Sequence, residues 1–259
     1  MRVDLHNHTI YCNHASGSIE SYLQRASEIG IDVFGFSCHA PMNFDEKYRM
    51  SFTQLPHYFA EIPNIYNGME VLSALEVDYI FGREDLLNQS VLQADVDYLI
   101  GSVHFLGDWG FDNPEFIGEW ENRGVFATWD SYFTSLQSMI KTGYFQIVGH
   151  FDLPKLFGSV MPESLCEKME ETLKLMCDMD MVLEVNSAGL RKHIKEQYPS
   201  CYILKKAKDL GLNVTLGSDA HNVLDIGFGY SACVRILKDI GFNQVAIFRK
   251  KQKHLVELG

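Results

Sequence analysis

Histidines recur in this chain at one kind of place, directly after a short apolar run. The first case is at the amino end, where Val3-Asp4-Leu5 runs into His6-Asn7-His8. In an extended strand, residues two apart point to the same face, so the two imidazoles face one side together. The pattern returns with His14, His39, Glu76, His104, His150, Asp219 and His221, which takes up seven of the ten histidines. Only His57, His193 and His254 are left over. Independent structural roles do not produce such a distribution. A fold that gathers strand ends on one rim does.

Strand-like and helix-like segments alternate from end to end. Strands are expected at 2–6, 32–37, 70–77, 97–103, 146–149, 181–186 and 213–217, several apolar on both faces as buried parallel strands are. Helical patterns are expected at Ile19–Ile29, Trp129–Lys141, Pro162–Cys177, Tyr198–Leu210 and about 230–240. Most carry a capping residue or proline at the start, or glycine at the end. Seven βα repeats without a linker point to an α/β fold, a TIM-like parallel barrel in one domain over 1–259. The ligand-type residues then sit at the carboxyl-terminal rim of six strands, where barrel enzymes keep their active sites. The long irregular stretches, about 40–69 and 105–127, follow strand ends and are expected to wall a substrate pocket.

Composition narrows the partners. Twenty-two basic against 34 acidic residues give a net charge of −12, which disfavours broad binding to nucleic acid or anionic membrane. No apolar run approaches the ~20 residues of a membrane span. Met1-Arg2 leads straight into the ligand-bearing strand, so a cytoplasmic chain without a cleaved leader is expected. The six cysteines, Cys12, Cys38, Cys166, Cys177, Cys201 and Cys233, form no C-x-x-C pair and fit reduced thiols. Cys12 and Cys38 adjoin expected ligands but are read as small buried hydrophobes. Oligomeric state is left open, a homo-oligomer included.

Imidazole with carboxylate suits Zn, Mn or Fe, and the oxygens are too few for a calcium cage. A carboxylate shared by two ions brings them within ~3.5–4 Å, close enough to bridge a hydroxide that exists at neutral pH.

The order of motifs resembles a known superfamily. Asp4-Leu5-His6-Asn7-His8-Thr9, Cys38-His39-Ala40-Pro41, Glu76-Val77-Asp78-Tyr79, Gly101-Ser102-Val103-His104-Phe105, Gly149-His150-Phe151-Asp152 and Gly217-Ser218-Asp219-Ala220-His221 are similar to the successive motifs of the polymerase and histidinol phosphatase (PHP) superfamily. Gly101–Leu106, Trp109–Asp112 and Asn186–Lys192 resemble its histidinol-phosphate phosphatase branch. The resemblance implies a distorted (βα)7 barrel with three divalent ions. His6, His8, Glu76 and Asp219 would surround one. Glu76 would bridge to a second held by His104 and His150. His14, His39 and His221 would hold the third. It also implies hydrolysis of L-histidinol phosphate to L-histidinol and phosphate in histidine biosynthesis, through attack by a metal-bridging hydroxide.

A phosphomonoester dianion needs cations besides the metals. Arg191, which can grip two phosphate oxygens at once, is the first choice; the resemblance implies a basic phosphate contact near Lys155, and Lys192 adjoins Arg191 as a further candidate. Asp219, His221 and Arg191 are the candidate catalytic residues, with the general acid unassigned. The ammonium and imidazole of the substrate call for acidic and aromatic loop residues; Asp108, Trp109, Phe111, Asp112, Glu115 and Trp120 offer those types without a choice among them. The rival readings are a PHP-type protein-tyrosine or other small-molecule phosphatase, a nuclease disfavoured by the acidic charge, and a metal store or sensor.

Overall fold

The structure, a computed structural model, describes residues 1–259. Seven parallel strands run in sequence order around a barrel: β1 (Val3–Asp4), β2 (Val33–Phe36), β3 (Met69–Asp78), β4 (Tyr98–Ser102), β5 (Ile147–Val148), β6 (Val182–Asn186) and β7 (Val214–Gly217). The ring closes between its first and last strands, because the Leu5 amide donates to the Leu216 carbonyl (2.8 Å) and the Asp219 amide to the His6 carbonyl (2.7 Å). A parallel bridge between Asn7 and Ala220 continues that seam past the strand ends. The apolar core draws on all seven strands. All seven expected strands are present. β1 and β5 have only two ladder residues each, and ligand-bearing segments extend them.

The principal outer helices are α1 (Ile19–Glu28), α2 (Val125–Lys141), α3 (Cys166–Asp178), α4 (Cys201–Asp209) and α5 (Tyr230–Ile240). Their starts differ from the sequence expectation for local reasons. Ser200 caps α4 through its side chain, so the helix begins after Pro199 rather than at Tyr198. Gly124, at φ 79°, releases the chain into α2 four residues before Trp129. Ahead of α3, Glu163–Leu165 forms a tighter 3-10 turn.

The segments read as irregular contain short elements. Helical turns occupy Leu55–Glu61 and Glu119–Arg123, and Phe105–Leu106 pairs with Trp109–Gly110 as a small hairpin. A carboxyl-terminal hairpin, β8 (Gln244–Arg249) with β9 (Gln252–Glu257), was not expected. Its Val245–Phe248 run is buried, and Lys251 and Gly259 bond to the carbonyls of Asp97 and Met1, just ahead of β4 and β1. The hairpin thus packs at the amino-terminal end of the barrel, opposite the ligands. No helix is long and apolar enough to cross a membrane.

Candidate metal centre and active-site cavity

Nine ligand-type side chains meet at the carboxyl-terminal rim, in and beneath a cavity of about 690 Å³. Glu76, buried at the end of β3, is the hub. Its Oε2 lies 3.4 Å from His6 Nε2, 3.6 Å from His8 Nε2 and 3.0 Å from His39 Nδ1. Its Oε1 lies 3.0 Å from His150 Nε2 and 3.6 Å from His104 Nε2. Asp219 Oδ1 approaches His8 Nε2 at 3.1 Å and His6 Nε2 at 3.9 Å. The set expected around the first ion and the set expected around the second therefore each converge, with Glu76 common to both.

The third set is looser. The rings of His14, His39 and His221 lie 4.7–6.1 Å apart between centroids. His39 also reaches Glu76, so it stands between the sets. Ligand atoms of His8, His39 and His221 lie within 4.8 Å of one another. Cys12 and Cys38 are buried and held through Thr9: Cys12 Sγ donates to its carbonyl (3.1 Å), and its hydroxyl donates to Cys38 Sγ (3.3 Å). Both sulfurs nonetheless fall within 4.8 Å of a His8 nitrogen.

Behind the ligands stands a layer of carboxylates. Glu184 on β6 accepts from His6 Nδ1 at 2.6 Å, and Asp78 accepts from His104 Nδ1 at 2.5 Å. A carboxylate on Nδ1 fixes the tautomer and leaves Nε2 as a lone pair aimed at the centre, the arrangement that orients metal-binding histidines. Asp78 is in turn paired with the buried Arg49 (3.0 Å). Ser102 donates to Glu76 Oε1 at 2.6 Å. Asp4 Oδ1 accepts from the Ser218 amide (2.8 Å) and from Asn7 (3.1 Å), which ties the Asp219 turn to β1. Glu184, Asp78, Arg49 and Asp4 were not singled out from the sequence as site residues. The signal was present: a lone charge inside an apolar strand, as in Val182-Leu183-Glu184-Val185, costs free energy unless it is paired.

Backbone geometry is shaped for the same purpose. Asp219 (φ 52°) and His150 (φ 23°) both lie at positive φ, which costs on the order of 1–3 kcal/mol per non-glycine residue and recurs at functional sites. Gly217 permits the close approach of β6 and β1, since a Cβ there would stand 2.4 Å from Glu184 Oε1 and 2.6 Å from His6 Cβ.

The electrostatics describe an anionic nest. Burial opposes charge on Glu76, but His6, His39 and His104 hold its carboxyl well below the usual range. Burial likewise opposes charge on His8 and His104. The hydrogen bond and charge of Asp219 nevertheless hold His8 up at about 9, and Asp78 with Glu76 holds His104 up at about 10. His39 goes the other way: burial lowers it to about 4 despite Glu76. Protons thus occupy positions that suit cations. The clustered nitrogens, the shared carboxylate and the pre-set tautomers fit divalent metal ions of the Zn, Mn or Fe class.

The three expected phosphate-binding cations take different places. Arg191 lines the cavity. Its Nη2 donates to the carbonyls of Ser218 (2.9 Å) and Asp219 (3.0 Å), its Nε lies 3.4 Å from Asp225, and Nη1 has no partner. Lys192 also lines the cavity. Lys155 corrects the expectation. Its Nζ donates to Glu196 (2.8 Å) and the Gln197 carbonyl (2.7 Å) and lies 2.9 Å from Asp152, and it is absent from the cavity wall. The ammonium is spent tying the turn after β5 to the loop after β6. Among the loop candidates, Trp109, Phe111 and Trp120 pack on one another, with centroids 5.4–6.3 Å apart, as the loop's own core. Asp108 and Glu115 are exposed, and Asp112 faces the cavity.

Known proteins give a consistent account. The PHP domain model matches residues 4–188. The chain is 35% identical over 256 residues to the "Probable histidinol-phosphatase" of Deinococcus radiodurans, covering 96% of this chain and 98% of that protein. It is 29% identical to the histidinol-phosphatase of Bacillus subtilis, covering 88% of this chain and 97% of that one. The histidinol phosphate phosphatase of Lactococcus lactis, solved with zinc, L-histidinol and phosphate, shares the fold at a TM-score of 0.79 and 20% identity over 98% of both chains. The chain belongs to the PHP-domain family, in the company of its histidinol-phosphatases.

Proposed function

We propose that this chain is a metal-dependent phosphomonoesterase that converts L-histidinol phosphate to L-histidinol and phosphate as a step of histidine biosynthesis in the cytoplasm. One observation carries the reading. A single cavity joins a cluster of imidazole nitrogens and shared carboxylates to a guanidinium with one nitrogen unpartnered. The near-full-length relation to histidinol-phosphatases supports the substrate, and the six free thiols fit a reducing compartment.

His6, His8, Glu76 and Asp219 would hold one ion, Glu76 with His104 and His150 a second, and His14, His39 and His221 a third. Bound there, Zn, Mn or Fe ions supply Lewis acidity, which activates water near neutral pH and offsets phosphate charge. The chain's own residues do the rest. Glu184 and Asp78 keep the Nδ1 protons of His6 and His104 in place, so that their Nε2 lone pairs stay directed inward. Arg191, anchored by the Ser218 and Asp219 carbonyls in the cavity wall, brings its positive charge to the phosphate and stabilises charge on the equatorial oxygens as water displaces the ester oxygen in line. Its anchoring also fixes the Asp219 turn. No side-chain nucleophile is required.

The test is kcat/KM for phosphate release from L-histidinol phosphate, p-nitrophenyl phosphate and a phosphotyrosyl peptide, using manganese-supplemented protein. The reading predicts a preference for histidinol phosphate of several orders of magnitude. Equal, weak rates on all three would remove the substrate assignment and favour a phosphatase of other specificity on the same centre.

A further inference from the structure

The cavity is lined by six carboxylates, Asp45, Glu76, Asp78, Asp112, Asp219 and Asp225. Five are accounted for. Asp45 and Asp78 pair with Arg49 at 3.6 and 3.0 Å. Asp225 accepts from Asn222 at 2.6 Å and stands 3.4 Å from Arg191 Nε. Glu76 and Asp219 face the imidazoles. Asp112 alone has no ion pair and no hydrogen bond with another residue.

Its neighbours anchor it to the rim. It follows the Phe105–Gly110 hairpin, where the Phe111 amide donates to the His104 carbonyl (3.2 Å) and the Phe111 ring is buried against Tyr132 at 5.5 Å. Asp112 lines the same cavity as His104, His150 and Asp78. The cavity therefore has two ends. On the Asp219 flank, one guanidinium nitrogen of Arg191 has no partner; on the His104–His150 flank, the Asp112 carboxylate has no ion pair of its own. Asp112 is half-buried in the cavity wall, so its carboxylate is only partly hydrated, and a ligand that supplies a cation there replaces that incomplete hydration with an ion pair.

We infer that Asp112 is the specificity residue that binds the substrate's ammonium group, so that the cavity selects phosphate esters carrying a primary amine. This rests on the phosphatase reading and deepens it. Phosphate at the Arg191 end and ammonium at the Asp112 end give a zwitterionic ester both of its partners, whereas a phosphotyrosyl side chain satisfies only one.

The experiment compares wild type with Asp112→Asn on L-histidinol phosphate, on the imidazolylpropyl phosphate that lacks only the amine, and on p-nitrophenyl phosphate. Bound metal is assayed alongside. Binding of L-histidinol and of inorganic phosphate is measured by calorimetry. The variant is expected to lose about 10- to 100-fold in kcat/KM for the amine-bearing ester, the scale of one hydrogen bond to a charged group. It should also weaken for L-histidinol, with metal content, phosphate affinity and both amine-free substrates unchanged. An equal loss on all three substrates, or loss of metal, would overturn the assignment and place Asp112 in the chemistry or the metal centre. So would a variant that keeps its preference for the amine. Wild type with no preference for the amine would instead defeat the substrate reading itself.

Discussion

His6 and His104 each give their Nδ1 proton to a buried carboxylate, while His14 and His221 give theirs to main-chain carbonyls, those of Cys12 (2.8 Å) and Asp219 (3.1 Å). The two halves of the centre are thus held by different means. In one, His6, His8, Glu76 and His150 are all but sealed from solvent, and His104 is only 12% exposed. Strand ends position them, and buried carboxylates orient the His6 and His104 rings. In the other, His14 is exposed and His221 is 31% exposed, and both ride on turns. A carboxylate behind an imidazole raises its basicity and restrains its ring; a carbonyl does so more weakly. The strand-held half is built to bind cations in fixed positions. The loop-held half, which borders Arg191, faces the cavity and can adapt to what enters it.

The largest expected effect breaks the strand-held half. Glu184→Gln leaves His6 Nδ1 and the His150 amide without their carboxylate, although neither residue changes. Metal affinity and activity should fall about 10- to 100-fold, read by metal analysis and kcat. A variant with full metal content and normal kcat would show that orientation from behind does not matter here.

A smaller and different effect is expected beside the loop-held half. Arg191→Ala should lower kcat/KM for every phosphate ester about 10-fold, the scale of a charge-assisted hydrogen bond, while metal content stays near that of wild type. If it lost metal as Glu184→Gln does, the two halves would be one unit.

The smallest effect on activity is expected outside both halves. Lys155→Ala should leave kcat/KM within about twofold, yet cost on the order of 3 kcal/mol in unfolding free energy, because the buried Asp152 loses its cation. Thermal denaturation checks this. A rise in KM without loss of stability would restore the phosphate-binding role expected of Lys155.

The same contrast explains what was legible in the sequence. Strand-end ligands declare themselves, because each polar residue breaks an apolar run and the runs recur at barrel spacing. Glu184 and Asp78 escaped notice because their partners lie 178 and 26 residues away in sequence, and only the closed ring brings them together. Lys155 was expected at the phosphate because the family resemblance implies a basic contact near it, although its Asp152 partner at i−3 points to a local pair. The carboxyl-terminal hairpin turns through Lys250 and Lys251 at φ 50° and 63°, where glycine or asparagine would have signalled the turn. Asp112 could be chosen from its loop only once Trp109, Phe111 and Trp120 were seen to pack on one another.

The central claim is that the rim is a divalent-metal centre that hydrolyses phosphate esters. The most direct measurement strips the protein with a chelator, restores Zn, Mn or Fe in steps, and follows bound metal and phosphate release from L-histidinol phosphate together. The account predicts that activity disappears with the metal and returns as the strand-held half fills, reaching three ions per chain at saturation. Full turnover by metal-free protein, or metal bound at stoichiometry with no phosphatase activity on any ester, would contradict it.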